Sequence, residues 1–410
     1  MAGVYPFRAV HYNDLEHLGR LIAPPYDVIS PSQQQALYDA SPHNIIRLEL
    51  NKRDEGGVDP YQVAASTLRS WLDSGVLVRS DRPAFYVYRQ EYATPDGGLH
   101  TRTALFGEVR LEEFETGVIR PHEETFPGPK KDRLQLIRAC RANLSPIFGL
   151  YRDAPAATRV LTETAAGPPL ADVVDSVAVR HQLWAQDNPD ECQVVTHELA
   201  DRNILIADGH HRYETALGYR RERRDAGGDR PGWYDRVLFA LVSMSDPGLV
   251  VLPTHRILRS VPDGALANWR SRLPGADVSE IGWDEDAVRA ALDGEDACCF
   301  VLATADGAYR LALPRAEGGP LESLDVTRLH REVLPAVALE SDPHRLEIEY
   351  TQDARIALDA VRSGRAPAAL LVNPTPVERV DEVSGIGGRM PEKSTYFYPK
   401  LSTGIVLRVE

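Results

Sequence analysis

The chain has 410 residues, of which 43% are hydrophobic and 26% charged, and a formal net charge of −14. That length exceeds the size at which one hydrophobic core stops growing, so two domains, or one with an appendage, are expected. The acidic balance argues against a surface built for a nucleic-acid backbone, and no apolar run approaches the ~20 residues needed to cross a bilayer.

Four cysteines, Cys140, Cys192, Cys298 and Cys299, fit neither a C-x-x-C metal site nor a dense disulfide framework. The first residues lack a basic start followed by an apolar stretch, so export is not expected and a reducing, cytoplasmic setting is. Small molecules are the expected partners, rather than nucleic acid or a membrane.

Near the start, Pro24 and Pro25 impose an extended path that ends at Tyr26-Asp27. Asp27 on this stiff loop is a candidate general base, with helix capping as the alternative, because Ser30-Pro31 opens a helix through Tyr38. In SPHNIIRLEL, the residues Ile45, Ile46, Leu48 and Leu50 suggest a strand with His43, Asn44 and Arg47 at its mouth, and Asn44 and Arg47 become candidate substrate contacts. A charged loop follows. Tyr61 to Ser74 has helical spacing, and PAFYVYRQEY and TALFGEVRL form a hairpin across a Gly-rich turn.

From Val118 to Tyr151 the chain is chemically dense. Arg120, His122, Glu123, Glu124 and Thr125 precede a Pro-Gly-Pro break, and Lys130, Lys131, Asp132 and Arg133 open an amphipathic helix with Leu134, Leu136 and Ile137 inward. Cations are not favoured by the dipole at a helix start, so Lys131 and Arg133 are candidate phosphate contacts, with a solvated charge run as the alternative. Glu123 or Glu124 is a candidate to serve a metal or a substrate amine, and His122 is a candidate substrate contact. SPIFGLY then reads as a turn into a buried strand, and Val177 to Trp184 as another before a helix around Glu191 to Leu199.

The richest stretch is NILIADGHHRYETALG, Asn203 to Gly218. Ile204, Leu205 and Ile206 read as a buried strand, Ala207-Asp208-Gly209 as a tight turn, and the rest as a helix whose first turn carries His210, His211 and Arg212. Free backbone N–H groups at a helix start attract anions, so a phosphate is the natural guest. The plainer alternative has Asp208 capping the helix and the histidines on the surface.

Strand candidates continue with RVLFALVSM and GLVVLPTHRIL, the latter bringing Thr254, His255 and Arg256 to a strand end. His255 is a candidate ligand contact. Pro262 to Arg315 looks like a smaller α+β insertion in which Cys298-Cys299-Phe300-Val301-Leu302 pairs with AYRLALP. Asp342, His344, Glu347, Glu349 and Asp353 give the next segment an acidic character. After a strand at Ala368 to Asn373, the glycines of SGIGG lead to Lys393, Ser394, Thr395, Tyr396, Tyr398 and Lys400, polar donors suited to a phosphate or a substrate. Alternating strands and helices point to α/β.

In order, APPYDVIS, HNIIRLEL, HEETFPGPKKDR, SPIFGLY, IADGHHRYETAL, LPTHRIL and KSTYFYPK give the chain its resemblance to the family catalogued as domain of unknown function 1015. The DGHHR loop is also similar to the phosphate-gripping loop of the ParB and sulfiredoxin superfamily, which includes kinases acting on free serine. That resemblance implies an α/β (α+β) fold: a mixed-sheet core over residues 1–260, a smaller α+β insertion over 261–345, and a segment, 346–410, returning to the core.

It further implies ATP or ADP with Mg2+ as cofactors and a small hydroxyl compound as acceptor, with a homodimer left open. Asp208, Gly209, His210, His211 and Arg212 would grip phosphate, with Lys131, Arg133, Lys393, Ser394, Thr395 and Lys400 assisting. Asp208 would contact Mg2+, and Asp27 or Glu124 would take the acceptor proton. Because the loop holds no cysteine, thiol-based sulfinic acid reduction is excluded. Two other readings compete: a metal-dependent hydrolase using Asp208, His210, His211 and His122 or His255, and a non-catalytic nucleotide-binding regulator.

Overall fold

The computed structural model describes residues 2–52, 57–124, 127–227, 230–294, 297–340 and 345–410. Thr125, Asp342 and His344 lie outside the described residues, as do residues 53–56 of the charged loop. Two compact units emerge, a larger one of residues 1–121, 125–249 and 399–410, and a smaller one of 122–124 and 250–398.

The larger unit is built on a mixed sheet of nine strands: β1 (Val4–Tyr5), β2 (Phe85–Ala93), β3 (Leu99–Arg110), β4 (Ile119–Arg120), β5 (Ile147–Tyr151), β6 (Ala171–Val174), β7 (Arg180–Gln186), β8 (Ile204–Asp208) and β9 (Arg236–Ser243). Their order is β4-β8-β5-β9-β3-β2-β7-β6, with β1 added on β3. Strands β4 and β8 run parallel, as do β5 and β9, and the remaining pairs are antiparallel. The strands at its centre read as apolar runs because both faces are covered. Phe239 and Leu241 of β9, Ile147 of β5 and Ile204 and Ile206 of β8 share one core with Tyr213 and Leu217.

Packing is close enough to require a glycine in β5. A Cβ at Gly149 would come within 2.8 Å of the side chains of Ile204, Leu241 and Phe239. Three helices frame the end of β8: α1 (Ile46–Glu49), α2 (Pro127–Cys140) and α3 (His210–Gly227).

The first of these differs from the expected strand. The Asn44 amide donates to the carbonyls of Arg20 and Ile22, at 2.9 Å each, and its oxygen accepts from Ile46 N–H at 2.9 Å. That side chain starts a helical turn, after which Ile45, Ile46 and Leu48 are buried on every side. A short apolar run carries no periodicity from which to tell helix from strand.

The smaller unit holds an antiparallel six-stranded sheet together with a separate two-stranded one. The strands are β10 (Val250–Leu252), β11 (His255–Leu258), β12 (Asp277–Ile281), β13 (Ala297–Thr304), β14 (Gly307–Pro314), β15 (Ile348–Thr351), β16 (Ala368–Val372) and β17 (Tyr396–Tyr398). The larger sheet has the order β12-β14-β13-β16-β11-β15, and β10 pairs with β17. The expected hairpin of β13 and β14 is present. The unit is wider than the 261–345 insertion read from sequence, because β16 inserts between β11 and β13 and so ties residues before 261 and after 345 into one sheet. Only residues 399–410 of the C-terminal segment return to the larger unit.

Candidate functional site

The turn after β8 carries a cluster of charged side chains in the larger unit. The pairing of β8 with β5 slips between Ile206 and Asp208, a bulge that re-aims the strand just before the turn. Gly209 follows with φ of 93°, and a Cβ there would lie 3.0 Å from the Arg212 guanidinium. A glycine is therefore required twice over, for the backbone angle and for the side chain that folds back across it.

Asp208 is the centre of the cluster. Its Oδ2 accepts from Arg212 Nη2 at 2.7 Å, and its Oδ1 accepts from Lys400 Nζ. The other guanidinium arm, Nη1, donates to the Pro146 carbonyl at the entrance of β5. All three side chains are largely buried, with exposures of 15% for Asp208, 11% for Arg212 and 13% for Lys400. Burial by itself would raise the Asp208 carboxyl, but Lys400 and Arg212 outweigh it and hold the group far below the usual carboxylate range. The three carry a net charge of +1, and the 18-residue helix α3 begins beside them with its positive dipole end.

Arg212 also lines a cavity of about 50 Å3, together with Glu49, Arg133, Ser145 and Thr215 among others. Arg133, a candidate phosphate contact, is buried, whereas Leu134, expected inward, is half-buried. Its Nη1 donates to the Glu49 carboxylate at 3.1 Å and to the Glu49 carbonyl at 3.0 Å, and its other arm meets Asp132. Ser145 Oγ donates to the same Glu49 oxygen at 2.9 Å. The Arg133 guanidinium stacks 3.9 Å from the centre of the Tyr26 ring. Burial pushes the Tyr26 hydroxyl up to about 12, against the lowering fields of Arg212 and Arg133, so the proline-stiffened loop carrying Tyr26 and exposed Asp27 lies beside the cluster.

Several residues singled out from sequence have other duties. Asn44 is fully buried with its amide committed to backbone, and Arg47 donates to the Tyr38 carbonyl at 2.8 Å while lying over that ring. Both are structural, because the donors expected to meet substrate already hold the chain. Lys131 is exposed and makes no ion pair among the described residues, whereas its neighbour Lys130 pairs with Glu214 of α3 at 2.6 Å. His210 is buried in the first turn of α3, and His211 is half-buried.

The remaining candidates belong to the smaller unit. His122 Nε2 and Thr395 Oγ1 are 3.0 Å apart, Ser394 Oγ donates to the Pro391 carbonyl, and Lys393 and Glu124 are exposed. Glu123 rather than Glu124 is engaged there, accepting from Lys393 N–H at 2.8 Å. His255 is buried and its Nδ1 accepts from Val372 N–H at 3.2 Å, which fixes a neutral ring. Desolvation, with help from Arg256, pulls that ring down to about 4.

Sequence reasoning missed Tyr26, Glu49, Ser145 and Thr215. Glu49 did carry a signal, since an acid inside the apolar run IIRLEL demands a buried partner. Asp208 does not fit the role of Mg2+ ligand, because each of its oxygens already faces a cation. Among the described residues no three His, Cys, Asp or Glu side chains gather as a metal-holding group. No helix among them is long and apolar enough to cross a membrane.

These features give an α/β unit in which a strand, a left-handed glycine and a helix seat a carboxylate between two cations. A family model described as "Protein of unknown function (DUF1015)" matches residues 4–327, and the chain belongs to that family. No curated protein matches it by sequence. Among solved structures it is similar to a free serine kinase in complex with AMP, at 14% identity and a TM-score of 0.40, covering 75% of this chain and 91% of that one. A mutant of the free serine kinase in complex with ADP gives 15% identity, a TM-score of 0.40, and coverage of 75% and 92%. A conserved hypothetical protein from Pyrococcus furiosus gives 15%, a TM-score of 0.36, and coverage of 74% and 95%. At such scores these likenesses carry no weight for the chemistry, which rests on the side-chain geometry.

Proposed function

We propose that this chain is a phosphotransferase, moving a phosphoryl group from ATP or ADP to a hydroxyl of a small metabolite, with free serine a candidate acceptor through the family resemblance. One observation carries the reading: Lys400 and Arg212 are held in reserve on Asp208 at the start of helix α3. An entering phosphoryl group replaces the Asp208 carboxylate, accepting from Lys400, Arg212 and the first-turn N–H groups of α3, with His210 and His211 flanking it.

Of these groups only Arg212 lines the cavity of about 50 Å3, beside Arg133 and the Glu49 carboxylate; that volume is far below the ~300–1,000 Å3 of pockets that bury a drug-sized ligand, so base and ribose would lie outside it. Asp27, exposed beside Tyr26, would take the hydroxyl proton, with Glu124 the alternative. Fixed positive charge and positioning would supply most of the acceleration, as phosphoryl transfer requires.

The test is a melting-temperature screen of ATP and ADP, each with and without Mg2+. A nucleotide at about 100 times its dissociation constant adds ~2.7 kcal/mol of stability. The expected result is such a shift in the wild type and its loss in Arg212→Ala, whose ligand-free fold persists because Lys400 still neutralises Asp208. No shift with either nucleotide, or unchanged calorimetric binding by Arg212→Ala, overturns the reading.

A further inference from the structure

The smaller unit contains a buried cation. Arg256, in β11, is 2% exposed, and among the described residues no carboxylate is in ion-pair contact with it. Its Nη1 donates to the Thr254 carbonyl, and its Nη2 donates to the Lys393 carbonyl at 3.1 Å and to His330 Nε2 at 3.3 Å. Among the described residues its Nε has no acceptor and the buried Thr254 hydroxyl has no hydrogen-bond partner. Native folds leave few such groups, because each orphaned buried donor costs ~1–3 kcal/mol and an unpaired charge more.

The surroundings are also built for more than packing. Lys393, whose carbonyl faces Arg256, holds φ at 57°, a strained angle for a side-chain-bearing residue. His330 sits on a π-helical turn, Leu329–Val333, a rare local geometry that recurs at functional sites. Tyr350 lies directly opposite Arg256 across the β11–β15 pair and is 37% exposed. The Arg256 guanidinium and the Lys393 ammonium approach this ring to 5.8 and 6.0 Å, so the buried cation and an exposed one flank the same partly open aromatic. Glu123, the carboxylate whose field reaches Arg256, has an oxygen engaged by Lys393 N–H.

We propose that the smaller unit binds an oxyanion, either a carboxylate or a phosphoryl group, on Arg256 and Thr254 with Lys393 at the entrance. The Nε–H and the threonine hydroxyl supply the two missing donors, and the lysine adds a third. This site lies wholly within the smaller unit and does not depend on what the Asp208 cluster binds.

The experiment uses the full chain, with inorganic phosphate and acetate as probes against chloride at matched ionic strength. A saturable rise in melting temperature with phosphate identifies a phosphoryl site, and one with acetate a carboxylate site. Thr254→Val keeps shape and fold while removing the hydroxyl, and should weaken the response about tenfold or more, the size of one lost charge-assisted hydrogen bond. In a Lys400→Met background, which removes the larger unit's contribution, Arg256→Met should abolish the response, with the ligand-free melting temperature of each variant as its own reference. Lys400→Met keeps phosphate binding by the larger unit apart: the response should survive there. A wild type that responds to neither probe, or a response in Thr254→Val and Arg256→Met undiminished from that of the parent protein, overturns the proposal.

Discussion

Replacing Asp208 by Asn separates the two roles a carboxylate could have at this turn. Lys400 and Arg212 are 13% and 11% exposed, and Asp208 is the carboxylate that both contact. Removing its charge leaves two nearly buried cations facing a neutral amide, a change of the kind that costs ~3–5 kcal/mol. For a unit of this size, each kcal/mol lowers the melting temperature by ~2–4 °C, so a fall of roughly 5–20 °C is expected. The same substitution releases both cations to an incoming anion. Phosphate should therefore bind Asp208→Asn about tenfold or more tightly, and should restore much of the lost stability. Urea unfolding and a phosphate titration followed by melting temperature measure the two effects together. A variant that is destabilised but binds phosphate no better, or more weakly, would falsify the idea that Asp208 keeps an anion seat filled, and would point to a direct role in binding.

Gly209→Ala should cost ~1–2 kcal/mol from the left-handed backbone and push the Arg212 guanidinium off its 3.0 Å approach; unfolding and phosphate titration should show both losses. Glu49→Gln should be among the most destabilising single changes, ~3–5 kcal/mol by denaturant unfolding, because Arg133 is 7% and Glu49 2% exposed. His255 is buried neutral, with its ring drawn down to about 4. The unfolded chain binds that proton first, so stability is intact above pH ~6.5 and declines by roughly 3 kcal/mol as pH falls to about 4. His255→Asn should flatten that part of the curve.

What could be read from the sequence was local. Ser30-Pro31 announced a helix, and the Ser30 hydroxyl accepts from Gln33 N–H while the Gln33 side chain returns the bond to Ser30 N–H. The hairpin of β2 and β3 and the strand–glycine–helix turn at Asp208 were legible for the same reason, since their determinants lie within a few residues of each other. Pairings across long stretches of chain were not. Lys400 was a candidate for phosphate, yet its partner Asp208 is 192 residues away. Arg133 reads as a candidate phosphate contact until Glu49, 84 residues earlier, is brought beside it. The extent of the smaller unit escaped for a similar reason: β16 becomes part of one sheet with β11 only after more than a hundred residues of intervening chain.

This long-range pairing changes what the DGHHR turn selects. Read locally, it offers bare donors to any anion. In the folded chain the donors already hold a carboxylate, so an entering ligand is compared with Asp208 rather than with water. A singly charged carboxylate gains little by that exchange, because it only reproduces the bonds it displaces. A phosphoryl group carries about −1.5 to −2 near neutral pH and three acceptor oxygens, so it can engage Lys400, Arg212 and the amides of α3 together. The internal carboxylate thus acts as a threshold that favours dianions, and its removal should help acetate proportionally more than phosphate.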